Sequence, residues 1–336
     1  MLRAREHDLA HGHKCVVCNL AAKHLGVPSQ VGRSAEVVEM SRYQILFLCL
    51  ARDCQDTLPG FLSYLKLLEK YELRCCAIIG ENGSNDRTRE LIEQAIGPQI
   101  DLLDTKFMEH GQSRLARMAM GRQALLELAK SREQAQDYIC VTDLDEVMRE
   151  PPEPEAVISA MERLKADDNL FAIGAASRPV YYDLLSLRAE GQNYSGLNAE
   201  IAAAKKKPFS YFQFHQRRIY SKQRTIAQLN PIPCASSFNG FCLYRAFDYL
   251  LGSYRGHDEA DVCEHVTLNL SIGRVTGKQM LIAPELFIRA PADHTPVGLS
   301  RFWWNRLKER FPTFRLWHKI VIAFVIAQWI SRGLLR

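Results

Sequence analysis

The chain has no apolar run long enough to cross a membrane. Its best candidate, residues 320–327 continued by Trp329-Ile330, is interrupted by Gln328 and falls short of the roughly 20 apolar residues a spanning helix needs. The N-terminus has no apolar signal core, which predicts a cytoplasmic protein. No block of Lys and Arg is interleaved with aromatics, and the net charge is only +5, so nothing marks a nucleic-acid binder. That modest charge suits an anionic ligand or an acidic membrane surface. No glycine-rich phosphate loop follows Leu50, which weighs against a sugar-phosphate nucleotidyltransferase. No tryptophan occurs before Trp303. Ten cysteines are present without a disulfide-like framework, and several fall inside apolar runs, where a free thiol behaves as a small hydrophobe. Cys15-x-x-Cys18, preceded by His11 and His13, has the look of half a zinc site, but no second cysteine pair follows.

What is present is an alternation of strand and helix signals from Tyr43 onward. Residues 43–50 read as a buried parallel strand. Thr57 then stands as an N-cap ahead of Leu58-Pro59 and a helically spaced Phe61, Leu62, Leu65 and Leu68. Residues 73–80 read as a second strand, 81–86 as a polar turn, 87–96 as a helix, 100–103 as a short strand, 113–130 as a long helix and 138–142 as a further strand. This order predicts an α/β fold with a mostly parallel, Rossmann-like sheet and helices on both faces. Ligands of such sheets bind outside the carboxyl ends of the strands. The expected organisation is an N-terminal extension (1–41), a first half (42–150) that carries the alternating strands, a second half (151–298) that begins at Pro151-Pro152-Glu153-Pro154, and C-terminal amphipathic helices (299–336).

The most informative stretch is Tyr138-Ile139-Cys140-Val141-Thr142-Asp143-Leu144-Asp145-Glu146. An apolar strand ends in three carboxylates. Continued strand geometry would put Asp143 and Asp145 on one face. Carboxylates gathered this way repel one another unless a cation sits between them, and Mg²⁺-type ions are held by one or two carboxylates plus substrate phosphates. The bland alternative is a solvated acidic turn. Three other segments accompany this one. The turn Glu81-Asn82-Gly83-Ser84-Asn85-Asp86-Arg87-Thr88 joins strand to helix and offers polar groups to a nucleobase and ribose. Arg114, Arg117 and Arg122 lie on the long helix, where a planar fork suits phosphate. The segment Ser236 to Arg245 and the later Cys263-Glu264-His265 supply a polar turn entering a strand and a Glu-His pair, in which Glu264 is a candidate general base.

Taken in this order, the motifs resemble GT-A glycosyltransferases. Leu50-Ala51-Arg52-Asp53 is similar to their first-strand end, Glu81 to Thr88 to their Asp/Asn-Gly-Ser-x-Asp-x-Thr turn, and Asp143-Leu144-Asp145 to their metal-binding Asp-x-Asp. The closer resemblance is to the fungal capsule-associated α-1,3-mannosyltransferase family. The likeness runs through Arg114-Leu115, Met118-Ala119 and Arg122-Gln123, through Tyr182-Asp183-Leu184-Leu185-Ser186-Leu187-Arg188, and through Ser236-Ser237-Phe238-Asn239-Gly240 and Cys263-Glu264-His265. Asn82, Gln123 and Leu185 depart from the family's usual Asp, Asn and Trp.

The resemblance implies a metal-dependent hexosyl transfer, with mannose a candidate, from a GDP- or UDP-sugar to a glycan or lipid-linked hydroxyl in surface polysaccharide synthesis. It implies Mn²⁺ or Mg²⁺ on Asp143, Asp145 and His294, and donor contacts from Arg52, Glu81, Asn82, Asp86, Arg114, Arg122 and Asp143. Acceptor contacts would come from Tyr182, Asp183, Asn239 and His265, with Glu264 and Asp145 catalytic. A non-catalytic sugar-nucleotide-binding protein is the competing reading from another class. The four tryptophans Trp303, Trp304, Trp317 and Trp329, interspersed with basic residues, predict a C-terminal helix that lies in a membrane interface. The enzyme would then sit peripherally at the inner membrane face.

Overall fold

The computed structural model describes residues 43–228, 231–255 and 262–310. The Cys15/Cys18 pair and the tail carrying Trp317 and Trp329 lie outside them. In the first half, β1 (Tyr43–Ala51), α1 (Leu58–Glu69), β2 (Leu73–Glu81), α2 (Thr88–Ala95), β3 (Ile100–Asp104), α3 (Arg114–Lys130) and β4 (Tyr138–Asp143) follow the predicted alternation to within a residue or two. They are continued by α4 (Pro154–Ala166), β5 (Leu170–Arg178), the short β6 (Arg188–Ala189) and β7 (Gln192–Asn193), and then α5 (Leu197–Lys205), α6 (Pro208–Phe214) and α7 (Ser221–Gln228). Last come β8 (Ile232–Ser236), β9 (Phe241–Arg245), α8 (Ala246–Leu250), α9 (Glu264–Thr276), β10 (Gln279–Arg289) and α10 (Leu299–Arg310). Among the described residues no helix is long and apolar enough to cross a membrane.

All the strands belong to one sheet, ordered β3-β2-β1-β4-β9-β5-β10-β8-β6-β7. β1 pairs in parallel with β2 and β4, β2 with β3, and β5 with β10. β9 is antiparallel to both β4 and β5, and so fills the place between them. Two antiparallel steps restore the original direction. The carboxyl ends of β1, β2, β3, β4, β5 and β10 therefore all reach the same edge, and strands from both sides of residue 150 build it.

Period-two alternation divides β1 between two cores. Tyr43, Ile45, Phe47, Cys49 and Ala51 pack with Phe61 and Leu65 of α1, Ile92 of α2 and Val157 and Met161 of α4. Leu46 and Leu48 face Leu125 and Leu126 of α3, Tyr249 of α8 and Leu268 and Ile272 of α9. Helices thus cover both faces, as the sequence pattern predicts. Eight cysteines of the described region, from Cys49 to Cys263, are buried free thiols. Burial pushes the Cys54 thiol, for example, up to about 11, so it stays protonated and packs as an apolar group.

Candidate functional site

The carboxyl edge is assembled by cross-links between its loops. Asp53, in the left-handed region at φ 50°, accepts from the Asn85 amide at 2.7 Å, and its own amide donates to Ser84 Oγ at 3.0 Å. The Cys54 amide donates to Thr88 Oγ1 at 2.8 Å, and the Gln55 amide to Asp86 Oδ2 at 3.1 Å. The polar turn after β2 is therefore largely occupied in holding the loop after β1.

This reassigns two expected donor contacts. Asp86 spends its carboxylate on the Gln55 and Thr88 amides, the latter at 2.9 Å. Glu81 is fully buried and accepts from the Ser84 amide at 2.6 Å and Arg89 Nη1 at 2.9 Å. Burial alone would raise its carboxyl, but these hydrogen bonds outweigh burial and hold it below the usual range. Both residues shape the turn. Asn82 differs: it is buried, and its Oδ1 has no partner among the described residues. Such an acceptor loses its hydration without replacement unless a ligand or water supplies a donor. Arg52 stands exposed on the same rim, 3.7 Å from Asp53.

β4 ends at Asp143. Leu144 turns into the core, and Asp145 is exposed at the start of a short 3-10 turn, Glu146–Arg149, where its Oδ1 accepts from the Val147 amide at 3.1 Å. The two aspartates thus do not share a strand, although Leu144 between them does point inward. The third expected carboxylate leaves the group, because Glu146 pairs with Arg149 at 2.8 Å. Thr57 explains how the bend is held. It occupies the N-cap position of α1 but its side chain makes no cap hydrogen bond; its one hydroxyl proton is instead shared between the carbonyls of Cys54 and Leu144. A helix-cap signal in the sequence is in fact a clamp on the acidic turn.

Arg122 sits behind Asp143. Its side chain is 1% exposed, and Nη2 donates to Asp143 Oδ1 at 2.6 Å. Nε and Nη1 are buried without a partner among the described residues. Burial works against its charge, but the attraction of Asp143 and Glu264 keeps it protonated. Expected as a phosphate contact, Arg122 instead acts on the site through Asp143. Arg114, exposed at the first position of α3, is the arginine open to a ligand and lies close enough to Glu264 to lower that group's pKa.

Three further carboxylates lie near enough to Asp143 to repel its charge, and Arg122 opposes them. Asp143 is pushed up to about 7, first by burial and then by Asp145, Glu264 and Asp183, against the opposing pull of Arg122. Glu264, 7% exposed at the start of α9, is raised by burial and by Asp183. A cation placed among them would relieve this mutual repulsion, and carboxylate oxygens are the donors hard divalent ions prefer. Among the described residues no three His, Cys, Asp or Glu side chains are grouped tightly enough to cage an ion. The arrangement suits a metal that takes the rest of its ligands from phosphate and water.

The second half contributes a wall. The Tyr182 ring lies 5.2 Å from that of His294, which is exposed on the loop after β10. The hydroxyl of Tyr182 reaches over Gly240, where φ is +80° and a Cβ would come within 2.3 Å of that oxygen. Asn239, at φ 54°, is fully buried. It donates to the Ala175 carbonyl at 3.0 Å, and its backbone amide donates to Asp183 Oδ2 at 3.4 Å. His265 is also buried, stacked on Phe238 with ring centroids 3.6 Å apart, and burial with Arg122 nearby keeps it neutral. Asn239 and His265, expected as acceptor contacts, therefore act beneath the surface: one positions Asp183 and the other supports the Arg122–Phe238 layer, in which Arg122 lies 5.2 Å from the Phe238 centroid. The structure brings Arg114, Asp143, Asp145, Tyr182, Asp183, Glu264 and His294 to the edge. Arg149, Arg224 and Arg289 line a cavity together with Glu146 of the acidic turn, and no local sequence pattern marks them because they come from three separate segments.

No family model matches the chain, and no curated protein matches it. The likeness to the fungal capsule-associated family thus rests on its motifs without a family match. Among solved structures the chain is similar to mannosyl-3-phosphoglycerate synthase from Rubrobacter xylanophilus, at 12% identity over 77% of this chain and 69% of that one, with a TM-score of 0.38. It is also similar to glucosyl-3-phosphoglycerate synthase from Mycobacterium tuberculosis in complex with Mn²⁺ and UDP-glucose, at 12% identity over 79% and 75%, with a TM-score of 0.42. Likeness at this level concerns the course of the backbone and says nothing of substrates.

Proposed function

We propose that the protein is a metal-dependent glycosyltransferase that moves a sugar from a nucleotide-sugar donor to an acceptor hydroxyl. The observation that carries this reading is Asp143, held by Arg122 at 2.6 Å with Asp145, Asp183 and Glu264 near it, at the same strand edge as the unpartnered Oδ1 of Asn82. On this reading Asn82 Oδ1 accepts from the donor's base or ribose. Asp143 and Asp145, with His294, would hold Mn²⁺ or Mg²⁺, which when bound would supply charge stabilisation to a diphosphate leaving group. Arg122 keeps Asp143 oriented and draws its raised carboxyl back toward the ionised form. Arg114 reaches the phosphates from the open end of α3. Glu264, whose raised pKa brings it nearer to neutrality, takes the acceptor proton if transfer inverts, and positions the acceptor if it retains.

The finer proposal is a mannosyl or other hexosyl donor carried on GDP or UDP, and a glycan or lipid-linked acceptor of surface polysaccharide synthesis, with residues 299–336 as a membrane-surface anchor. The test is calorimetric. UDP and GDP are titrated into the full chain with and without Mn²⁺, followed by a donor-sugar panel read by nucleotide release. The reading requires Mn²⁺-dependent nucleotide binding that Asp143→Asn and Asp145→Asn each weaken at least tenfold. Binding that is indifferent to both substitutions would end it.

A further inference from the structure

We propose that the cavity beside the acidic turn is the acceptor subsite and that it takes a saccharide carrying an anionic group, either a carboxylate or a phosphate. The proposal rests on the glycosyltransferase reading, since it names that reading's acceptor. The cavity measures about 620 Å³, within the range of small-molecule sites. Its walls come from the turn that follows Asp145, from the loop that leads from β5 to Tyr182, from α7, and from the loop between β10 and the residues after His294. In the sheet order, Asn82 at the end of β2 lies on one side of Asp143, and the cavity, at the ends of β5 and β10, lies on the other. A donor reaching from Asn82 to Asp143 would present its sugar toward this space.

The lining has two chemistries. Pro179, Val180, Ala290 and Pro291 offer an apolar floor that suits the C–H face of a sugar ring. Arg149, Arg224 and Arg289 form a cationic rim that faces, among the described residues, two carboxylates, Glu146 and Glu150. Arg149 pairs with Glu146, and Arg289 with Glu150, but all four side chains are about half exposed or more. Such pairs contribute little to stability, so an incoming anion can take over an arginine readily. Among the described residues Arg224 has no carboxylate partner: its nitrogens donate to the Tyr220 carbonyl at 3.3 Å and to Gln216 Oε1 at 3.4 Å. A neutral sugar would leave this cation without a counter-charge, whereas a carboxylate or phosphate fits the guanidinium fork with two hydrogen bonds.

The experiment uses the full chain saturated with Mn²⁺ and UDP, so that an added anion does not report on the metal end of the site. Glucose, glucose 6-phosphate and glucuronate are titrated by calorimetry into wild type and into the double variant Arg224→Gln, Arg289→Gln. Both arginines are exposed, and thermal unfolding confirms that the variant folds. We expect at least one charged sugar to bind tenfold or more tightly than glucose, and the double variant to bring its affinity down to that of glucose while Mn²⁺–UDP binding is unchanged. The two charged probes separate a uronate acceptor from a sugar phosphate. Equal binding of charged and neutral sugars, no binding of any, or a variant that binds like wild type would overturn the proposal. If Mn²⁺–UDP fails to bind, Mn²⁺–GDP replaces it; failure of both brings the donor reading down, while the charged-versus-neutral comparison still reads the cavity.

Discussion

Replacing Arg122 by Met keeps the stem's bulk and removes the counter-charge of Asp143. The pair is 2.6 Å long, with the arginine 1% and the aspartate 30% exposed. Breaking a fully buried pair costs about 3–5 kcal/mol. Partial exposure of Asp143 lets water solvate the orphaned carboxylate, so we expect about 2–3 kcal/mol at pH 8 without metal. The pH dependence carries the sharper test. Asp143 is raised to about 7 in the folded protein, above its unfolded value, so the group's favourable contribution is present at low pH and is lost as pH rises through 7. Removing Arg122 raises that pKa further. At pH 5.5 the carboxyl is protonated in both proteins and only the lost hydrogen bond remains, so the difference should shrink to about 1 kcal/mol. Urea unfolding at the two pH values measures both numbers, and Mn²⁺ should recover part of the loss at pH 8. A destabilisation that is the same at both pH values would refute the argument that an uncompensated Asp143 charge is its source.

By the same linkage, the rise in wild-type melting temperature produced by Mn²⁺ should be larger at pH 7.5 than at pH 5.5, and Asp143→Asn should remove that pH dependence; a flat profile in wild type would count against metal binding at this carboxylate. His215 lies among Tyr211, Tyr220 and Phe302, and burial, with Arg306 and Lys205 nearby, lowers it to about 4. A depressed histidine stabilises the fold above its unfolded pKa and loses that contribution as pH falls toward 4. Wild type should therefore lose about 2 kcal/mol between pH 7 and pH 4.5 that His215→Phe does not lose, as read by urea unfolding at each pH. Gly240→Ala combines a positive φ with a Cβ 2.3 Å from the Tyr182 hydroxyl. It should cost about 2 kcal/mol or more, and Tyr182→Phe in the same chain should restore part of it; thermal unfolding of the single and double variants decides.

The first four parallel strands were legible because each is a short apolar run bounded by polar turns and followed by a helix with period 3.6. What was not legible is the antiparallel β9. Phe241 to Arg245 looks like any strand, and only tertiary pairing decides that it enters between β4 and β5. The candidate site divides in the same way. Asp143 and Asp145 could be placed at a strand end from the run that precedes them. Sequence could not tell which polar groups the fold itself consumes. Glu81 and Asp86 satisfy backbone amides of their own loops, Asn239 and His265 lie under the surface, and Thr57 clamps the carbonyl of Leu144 across a separation of 87 residues. Side chains that match a binding motif are equally suited to capping turns, and only burial and partner geometry distinguish the two uses.

The placement of β9 also bears on how the chain is made. β4 is complete at Asp143, but the strand that covers its free side ends at Arg245, roughly 100 residues later. At typical ribosomal speeds of about 5–20 residues per second, the backbone of Ile139, Cys140 and Val141 waits about 5–20 s with one side unpaired. For that interval the nascent protein carries an apolar strand edge with a row of unpaired backbone groups, the kind of edge that invites pairing with another strand.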